Sequence, residues 1–202
     1  MERKKNLIDR MVIAFDRWQR SRMGIWEFTD DPECILRMGL AKTPVGAELS
    51  DGTVIRPGDT VGVVHFWNER MPPVPLTGAD LAWAREFRRL MTHSFQLVAR
   101  HVVENPRLAD FEALGGQLPI IFTPATTRYI ERLGFEVFDR VPPRGPVEYV
   151  VDLASRLWTW LMRHAFNPGS VAGVKLSDID RRPAWMSRRT LLRLYLKDSD
   201  TD

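Results

Sequence analysis

The sequence predicts an α+β fold: a mixed, largely antiparallel sheet with flanking helices, extended by helices at both ends. Three observations carry this prediction. The chain opens on a segment with helical periodicity. Several short apolar runs separated by turn signals follow. A long helical stretch then divides those runs from two later strands. At 202 residues the chain has the length of one domain. It is read as a single unit, with an N-terminal helix over 5–22, core strands and helices over 34–140, and a helical extension over 148–197.

The elements follow from local chemistry. Leu7, Ile8, Met11, Val12, Phe15 and Trp18 recur at helical spacing, which places a helix over 5–22. Asp30-Asp31-Pro32 marks a turn, and the run from Cys34 to Ala41 reads as a strand. Asp51-Gly52 sits between apolar-containing segments and predicts a hairpin, because a type I′ turn needs positive φ twice. Arg56-Pro57-Gly58-Asp59 is a second turn. The Val-rich run from Thr60 to Trp67 reads as a central strand.

A Pro-rich connection, Met71 to Pro75, leads to a helix over 78–104 with Thr77 as its cap. Asn105-Pro106 ends that helix. A short helix is expected at 107–113, followed by Gly115-Gly116, and a strand at 118–123. A helix over 125–133 with Gly134 as its C-terminal stop precedes a strand at 135–138. An aromatic-rich helix at 148–166 and a last helix near 187–197 complete the reading. Residues 198–202 are expected to fray.

Composition bounds the function. A chain of this length buries roughly 70% of its unfolded surface, so its core needs no disulfide or metal to hold it. One cysteine, Cys34, excludes an internal disulfide and a thiolate-only metal site. The basic N-terminus lacks an uninterrupted apolar run, since Asp9, Arg10, Asp16 and Arg17 interrupt it, so no signal peptide is read. No stretch of 18 apolar residues exists, and the expected location is the cytoplasm. The 29 Lys and Arg exceed the 26 Asp and Glu by three, and the excess gathers at the two ends. Such charge belongs to solvated helix faces or to an anionic surface such as lipid headgroups; the basic amphipathic first helix makes peripheral membrane contact one reading. Nucleic-acid binding is not expected, because basic residues and aromatics do not interleave in one central stretch.

Among candidate chemical groups, the four histidines (His65, His93, His101, His164) show no zinc spacing, so no metal site is expected. His65 is singled out because it lies inside an apolar strand. Alternation sets it on one face with Val61, Val63 and Trp67, and Asn68 follows three positions later. It reads either as a satisfied core residue or as an acid, base or ligand donor at a strand end. Asp51 and Asp59 read first as turn residues. Asp16 is a carboxylate candidate that also has Arg20 at i+4. Ser94 falls on the apolar stripe of the long helix, where a hydroxyl usually bonds back to the preceding turn. No Walker, GxSxG or GxGxxG motif occurs.

The segment from Leu49 to Asn68 carries L-x-D-G-x-x-I-x-x-G-D-x-x-x-x-x-H-x-x-N and resembles the core motif of the YkoP-like domain. The helix with Asp16, the long helix and the later Gly-Phe before a strand are also similar, so the likeness covers most of 10–140. Such domains occur in bacteria, often behind a polysaccharide deacetylase domain, and the resemblance brings no activity with it. The deacetylase metal pattern is missing here. The preferred reading is a module of this kind that binds a polar small molecule or envelope precursor near His65 and Asn68, because a His-x-x-Asn closes the strand next to the Pro-rich connection, with Asp16 and Asp59 as further ligand-side candidates.

A second, fainter resemblance is to the GNAT acetyltransferases. It rests on Tyr129-Ile-Glu-Arg-Leu-Gly-Phe-Glu-Val137 and on the order strand, long helix, strand, short helix, strand. It implies an acyltransferase using acyl-CoA, with Tyr129 near the leaving thiolate. The family's Gly-rich pyrophosphate loop is replaced by Asn68 to Gly78, whose prolines remove backbone donors. The sequence therefore predicts no resident cofactor for the preferred reading and acyl-CoA for the alternative. It does not specify an oligomeric state.

Overall fold

The computed structural model describes residues 6–140 and 142–196. The expected fraying at 198–202 and the first residue of the expected N-terminal helix lie outside them. The chain runs α1 (Leu7–Arg22), β1 (Leu36–Lys42), β2 (Ala47–Glu48), β3 (Val54–Ile55), β4 (Thr60–Phe66) and α2 (Leu81–Glu104). It continues through β5 (Ala113–Ile120), α3 (Pro124–Arg132), β6 (Glu136–Val137), α4 (Pro146–Phe166), β7 (Asp180–Ser187) and α5 (Arg188–Tyr195). The fold is α+β. Its main sheet has five strands in the order β1-β4-β5-β7-β6, and β2 pairs with β3 in a separate ribbon. Only β4 and β5 are parallel; the other neighbours in the main sheet are antiparallel.

Helix ends follow capping chemistry. The Asn6 side chain accepts from Asp9 N, and the Asp9 carboxylate accepts from Asn6 N, a reciprocal box that starts α1. Asp80, not Thr77, caps α2, because its carboxylate accepts from Trp83 N at 2.7 Å. Thr123 starts α3 and Ser187 starts α5 in the same way.

One face of the sheet carries the main core. Leu36 and Met38 of β1, Leu114 of β5 and Met186 of β7 pack against Phe95 and Val98 of α2, Ile130 of α3 and Leu191 of α5. Each such fully buried side chain contributes about 1.5–3 kcal/mol. The Ser94 hydroxyl lies in this core, and it accepts from Ile35 N at 2.9 Å, so it ties α2 to the chain entering β1 and does not serve its own helix. Cys34 is buried beside it, and burial pushes its thiol up. A smaller cluster, Leu49, Ile55, Val61, Ala113 and Trp185, fills the opposite face beneath the β2–β3 ribbon. The remainder of that face is polar. There Arg20 of α1 reaches Glu69 beyond β4, and Arg181 of β7 donates to Ser155 of α4 at 2.9 Å.

Three departures from the expected elements have physical causes. Residues 180–187, read as part of a helical extension, form β7 between β5 and β6. Their charged start hides the strand: Arg181 donates to Ser155 on the polar face, while Arg182 pairs with Asp180 of the same strand, which also meets Arg140. The strand expected at 118–123 begins at Ala113 and includes Gly115-Gly116, and the helix expected before it is only a 3-10 turn, Pro106–Leu108. Gly115 does not break the strand: φ is +151°, and a Cβ there would overlap the carbonyl oxygen of Ala184 on β7. The Asp51-Gly52 hairpin exists, but its strands close at Glu48 and Val54, so five residues form the loop.

Candidate functional site

The β1–β4 pair builds the site. Its antiparallel register sets Arg37 directly opposite His65. Arg37 interrupts an apolar run, and its alternation turns it away from the core residues Leu36 and Met38 onto the polar face. It is only 3% exposed. A buried guanidinium must be paired, and two carboxylates meet it. Arg37 donates through Nε and Nη2 to Glu27 Oε1 at 3.1 and 2.9 Å, and through Nη1 to Glu69 Oε2 at 3.1 Å. The Arg37 guanidinium also lies 4.4 Å from the centre of the Trp67 ring, and Arg70 lies 3.3 Å from the same ring.

Helix α1 closes the network. Arg20 Nε lies 2.9 Å from Asp16 Oδ2, but off the N–H axis, so the contact is an ion pair without a hydrogen bond. Arg20 Nη2 also reaches Glu69 Oε1 at 3.2 Å. Burial lifts the Asp16 carboxyl above its usual range, against the pull of Arg20. Burial would raise Glu69 as well, but backbone N–H donation and the Arg37 and Arg20 charges outweigh it and hold Glu69 below its usual value.

His65 is half-buried beside this network. Desolvation, reinforced by the Arg37 charge, lowers its pKa to about 4. The ring is therefore neutral at neutral pH, with one N–H donor and one acceptor nitrogen. No described protein group hydrogen-bonds either nitrogen, and the half-buried Asn68 carboxamide likewise has no described partner. So weakly basic an imidazole suits hydrogen bonding to a hydroxyl or amide better than proton abstraction.

The sequence candidates divide into three groups. Asp16 joins the network that includes Arg37, and His65 stands beside it. Asp59 stands one residue before β4, at the opposite end of the strand from His65, where its carboxylate accepts from Arg56 N at 2.7 Å and holds the turn. Tyr129 lies on α3 and packs with the main core on the other face of the sheet, so it shares no centre with His65. Its hydroxyl is buried without a hydrogen-bond partner, and burial pushes its pKa up to about 12. The Tyr129 ring meets Phe87, which stacks on Trp83 at 4.9 Å and contacts Phe66 at the end of β4.

The sequence reading missed Arg37, Glu69 and Glu27. Arg37 had a usable signal: a single charge inside Ile35-Leu36-Arg37-Met38 must either face solvent or be paired. Among the described residues no group of three or more His, Cys, Asp or Glu side chains is arranged for a metal ion, and no helix is long and apolar enough to cross a membrane.

The connection before α2 is fixed in place. Asn167 accepts from Val74 N and donates to the Pro72 carbonyl, which also accepts from Trp83 Nε1. Gly169 lies against the Val74 carbonyl so closely that a Cβ would overlap it. With Asp80 as the N-cap of α2, this end of the helix offers a carboxylate to any approaching anion.

Together, these features define an α+β fold whose five-stranded sheet carries a paired-charge network on one face and an aromatic cluster on the other. The model of the YkoP domain matches residues 39–195, and the chain belongs to that family. No match was found among curated proteins or among solved structures.

Proposed function

We propose that this YkoP domain binds a polar small molecule, of the class of cell-envelope precursors, against the β1–β4 face at His65 and Asn68. The observation that carries the reading is a neutral, half-buried imidazole without a protein hydrogen bond, beside the Arg37–Glu69–Asp16 network. The His65 nitrogens are not among the sealed unpaired atoms, so they remain open to a hydroxylated or amide-bearing ligand that would pair with them. In this reading His65 supplies one donor and one acceptor, Asn68 orients the ligand, and Arg37 fixes the strand pair beneath it.

Thermal-shift measurement against nucleotide-linked amino sugars and peptidoglycan fragments tests the reading. A ligand at 100 times its Kd adds about 2.7 kcal/mol, which is an upward shift of roughly 5–10 °C for a chain of this size. The shift should disappear in His65→Ala and Asn68→Ala variants. A full shift in both variants would exclude the site.

The second reading is an acyltransferase of the GNAT kind, in which Tyr129 protonates a leaving thiolate. It is favoured by the buried, unpartnered Tyr129 hydroxyl beside Phe87 and by the order of β4, α2, β5, α3 and β6. Asp80 and the pinned Pro-rich connection weigh against it, because an anionic pyrophosphate would meet a carboxylate and few free N–H groups. Stabilisation by acetyl-CoA, absent in Tyr129→Phe, would favour this reading over the first.

A further inference from the structure

We infer that the outer surface of α1 and α4 docks on an anionic lipid bilayer, an interaction separate from the ligand site on the sheet. Helix α1 is turned inside out with respect to charge. Its two carboxylates face inward, Asp9 at 2% and Asp16 at 7% exposure, while Ile8 and Met11 are 61% and 64% exposed. Phe15 and Trp18 share that exposed surface. The exposed charges of α1 are Arg10, Arg17 and Arg22. Its outer surface is therefore apolar and cationic, with no carboxylate to repel an anionic headgroup.

Helix α4 extends the surface. The Phe15 ring meets Trp158 edge-on at 5.0 Å, so α1 and α4 adjoin. On α4, Val147 and Val150 are exposed, as are Val151 and Leu157. Glu148 is the exposed carboxylate at its start, and it accepts from Arg144 N. Exposed apolar groups on this scale call for a covering partner.

Charge selects that partner. A second copy of the chain would present the same arginines, and like charges would meet across a two-fold contact. An anionic bilayer accepts the apolar side chains into its headgroup region and pairs with the arginines. The sequence Arg3-Lys4-Lys5 immediately before the helix adds cationic charge of the same sign.

Sedimentation of the full chain with vesicles tests the inference. Binding is expected to phosphatidylcholine–phosphatidylglycerol vesicles, but weakly or not at all to phosphatidylcholine alone, and it should fall as salt rises from about 0.1 M to about 0.5 M. Arg10→Gln/Arg17→Gln should weaken binding to the anionic vesicles about 30-fold, at roughly one headgroup interaction per arginine. Ile8→Glu/Met11→Glu should remove it, with an unchanged melting temperature because both side chains are exposed. No binding to anionic vesicles would overturn the inference. So would equal binding to neutral vesicles, or a dimer by light scattering that Ile8→Glu/Met11→Glu dissociates.

Discussion

Arg37 and His65 face each other across β1 and β4, a fully paired guanidinium beside an imidazole that its charge helps to keep neutral. This opposition makes folding stability sensitive to pH in a definite window. The His65 pKa is about 4 when folded and about 6.5 in the unfolded chain, so the unfolded state takes up the proton first as pH falls. Stability is full above pH 6.5 and declines toward pH 4. Asp16, raised by burial, contributes in the opposite sense near the carboxylate range. Urea denaturation should show a loss of about 1–2 kcal/mol between pH 7 and pH 5, and His65→Gln should flatten that slope. An unchanged slope in the variant would assign the dependence elsewhere.

Replacing Arg37 by Met should cost about 2–4 kcal/mol, between the value of a surface pair and that of a buried one, since Glu27 is exposed and Glu69 is not fully covered. Glu69 then keeps only Arg20 of its two guanidinium partners, and Glu27 loses Arg37. Arg37→Met/Glu69→Gln should therefore recover part of it, and a double-mutant cycle by denaturant titration should give a coupling of about 1–2 kcal/mol.

Two tyrosines near each other should respond oppositely to loss of the hydroxyl. Tyr195 donates to the Leu133 carbonyl at 2.9 Å, and Tyr195→Phe should cost about 1 kcal/mol. The Tyr129 hydroxyl has no partner, so Tyr129→Phe should leave stability unchanged or raise it by up to about 1 kcal/mol. Thermal melts of the two variants measure the contrast. Destabilisation by Tyr129→Phe would mean that the hydroxyl has a structural partner.

Gly169→Ala should loosen the Pro-rich connection, because its methyl would overlap the Val74 carbonyl. The expected cost is about 2 kcal/mol or more. Hydrogen exchange should rise at Val74 N, which donates to Asn167. Gly145→Ala, with nothing near its Cβ position and, like Gly169, no positive φ, is the control for an added methyl alone.

Local chemistry was sufficient to expose most helices, the β4 run and the residues of the motif from Leu49 to Asn68. It failed where tertiary partners decide. β7 begins on three charged residues, of which Asp180 and Arg181 find partners at Arg140 and Ser155 outside the strand, and the space at Gly115 is taken up only when β7 is laid beside it. The site was legible only in part. His65 and Asp16 could be picked out by type and position. Arg37 and Glu69 link α1 to the β1–β4 face only after folding, across 32 residues of chain. Tyr129 was set beside His65 as a candidate, and which sheet face a helix covers cannot be read from its own residues.

The single register point between β4 and β5, Gly62 against Leu114, has a mechanical consequence. The backbone ladder scarcely stitches the β1–β4 half of the molecule to the β5–β7–β6 half. Long α2 and its aromatic and aliphatic side chains act instead as the splint between them. Beyond that point β4 runs unpaired on its β5 side to Phe66, and it is the ring of Phe87 on α2 that meets it there.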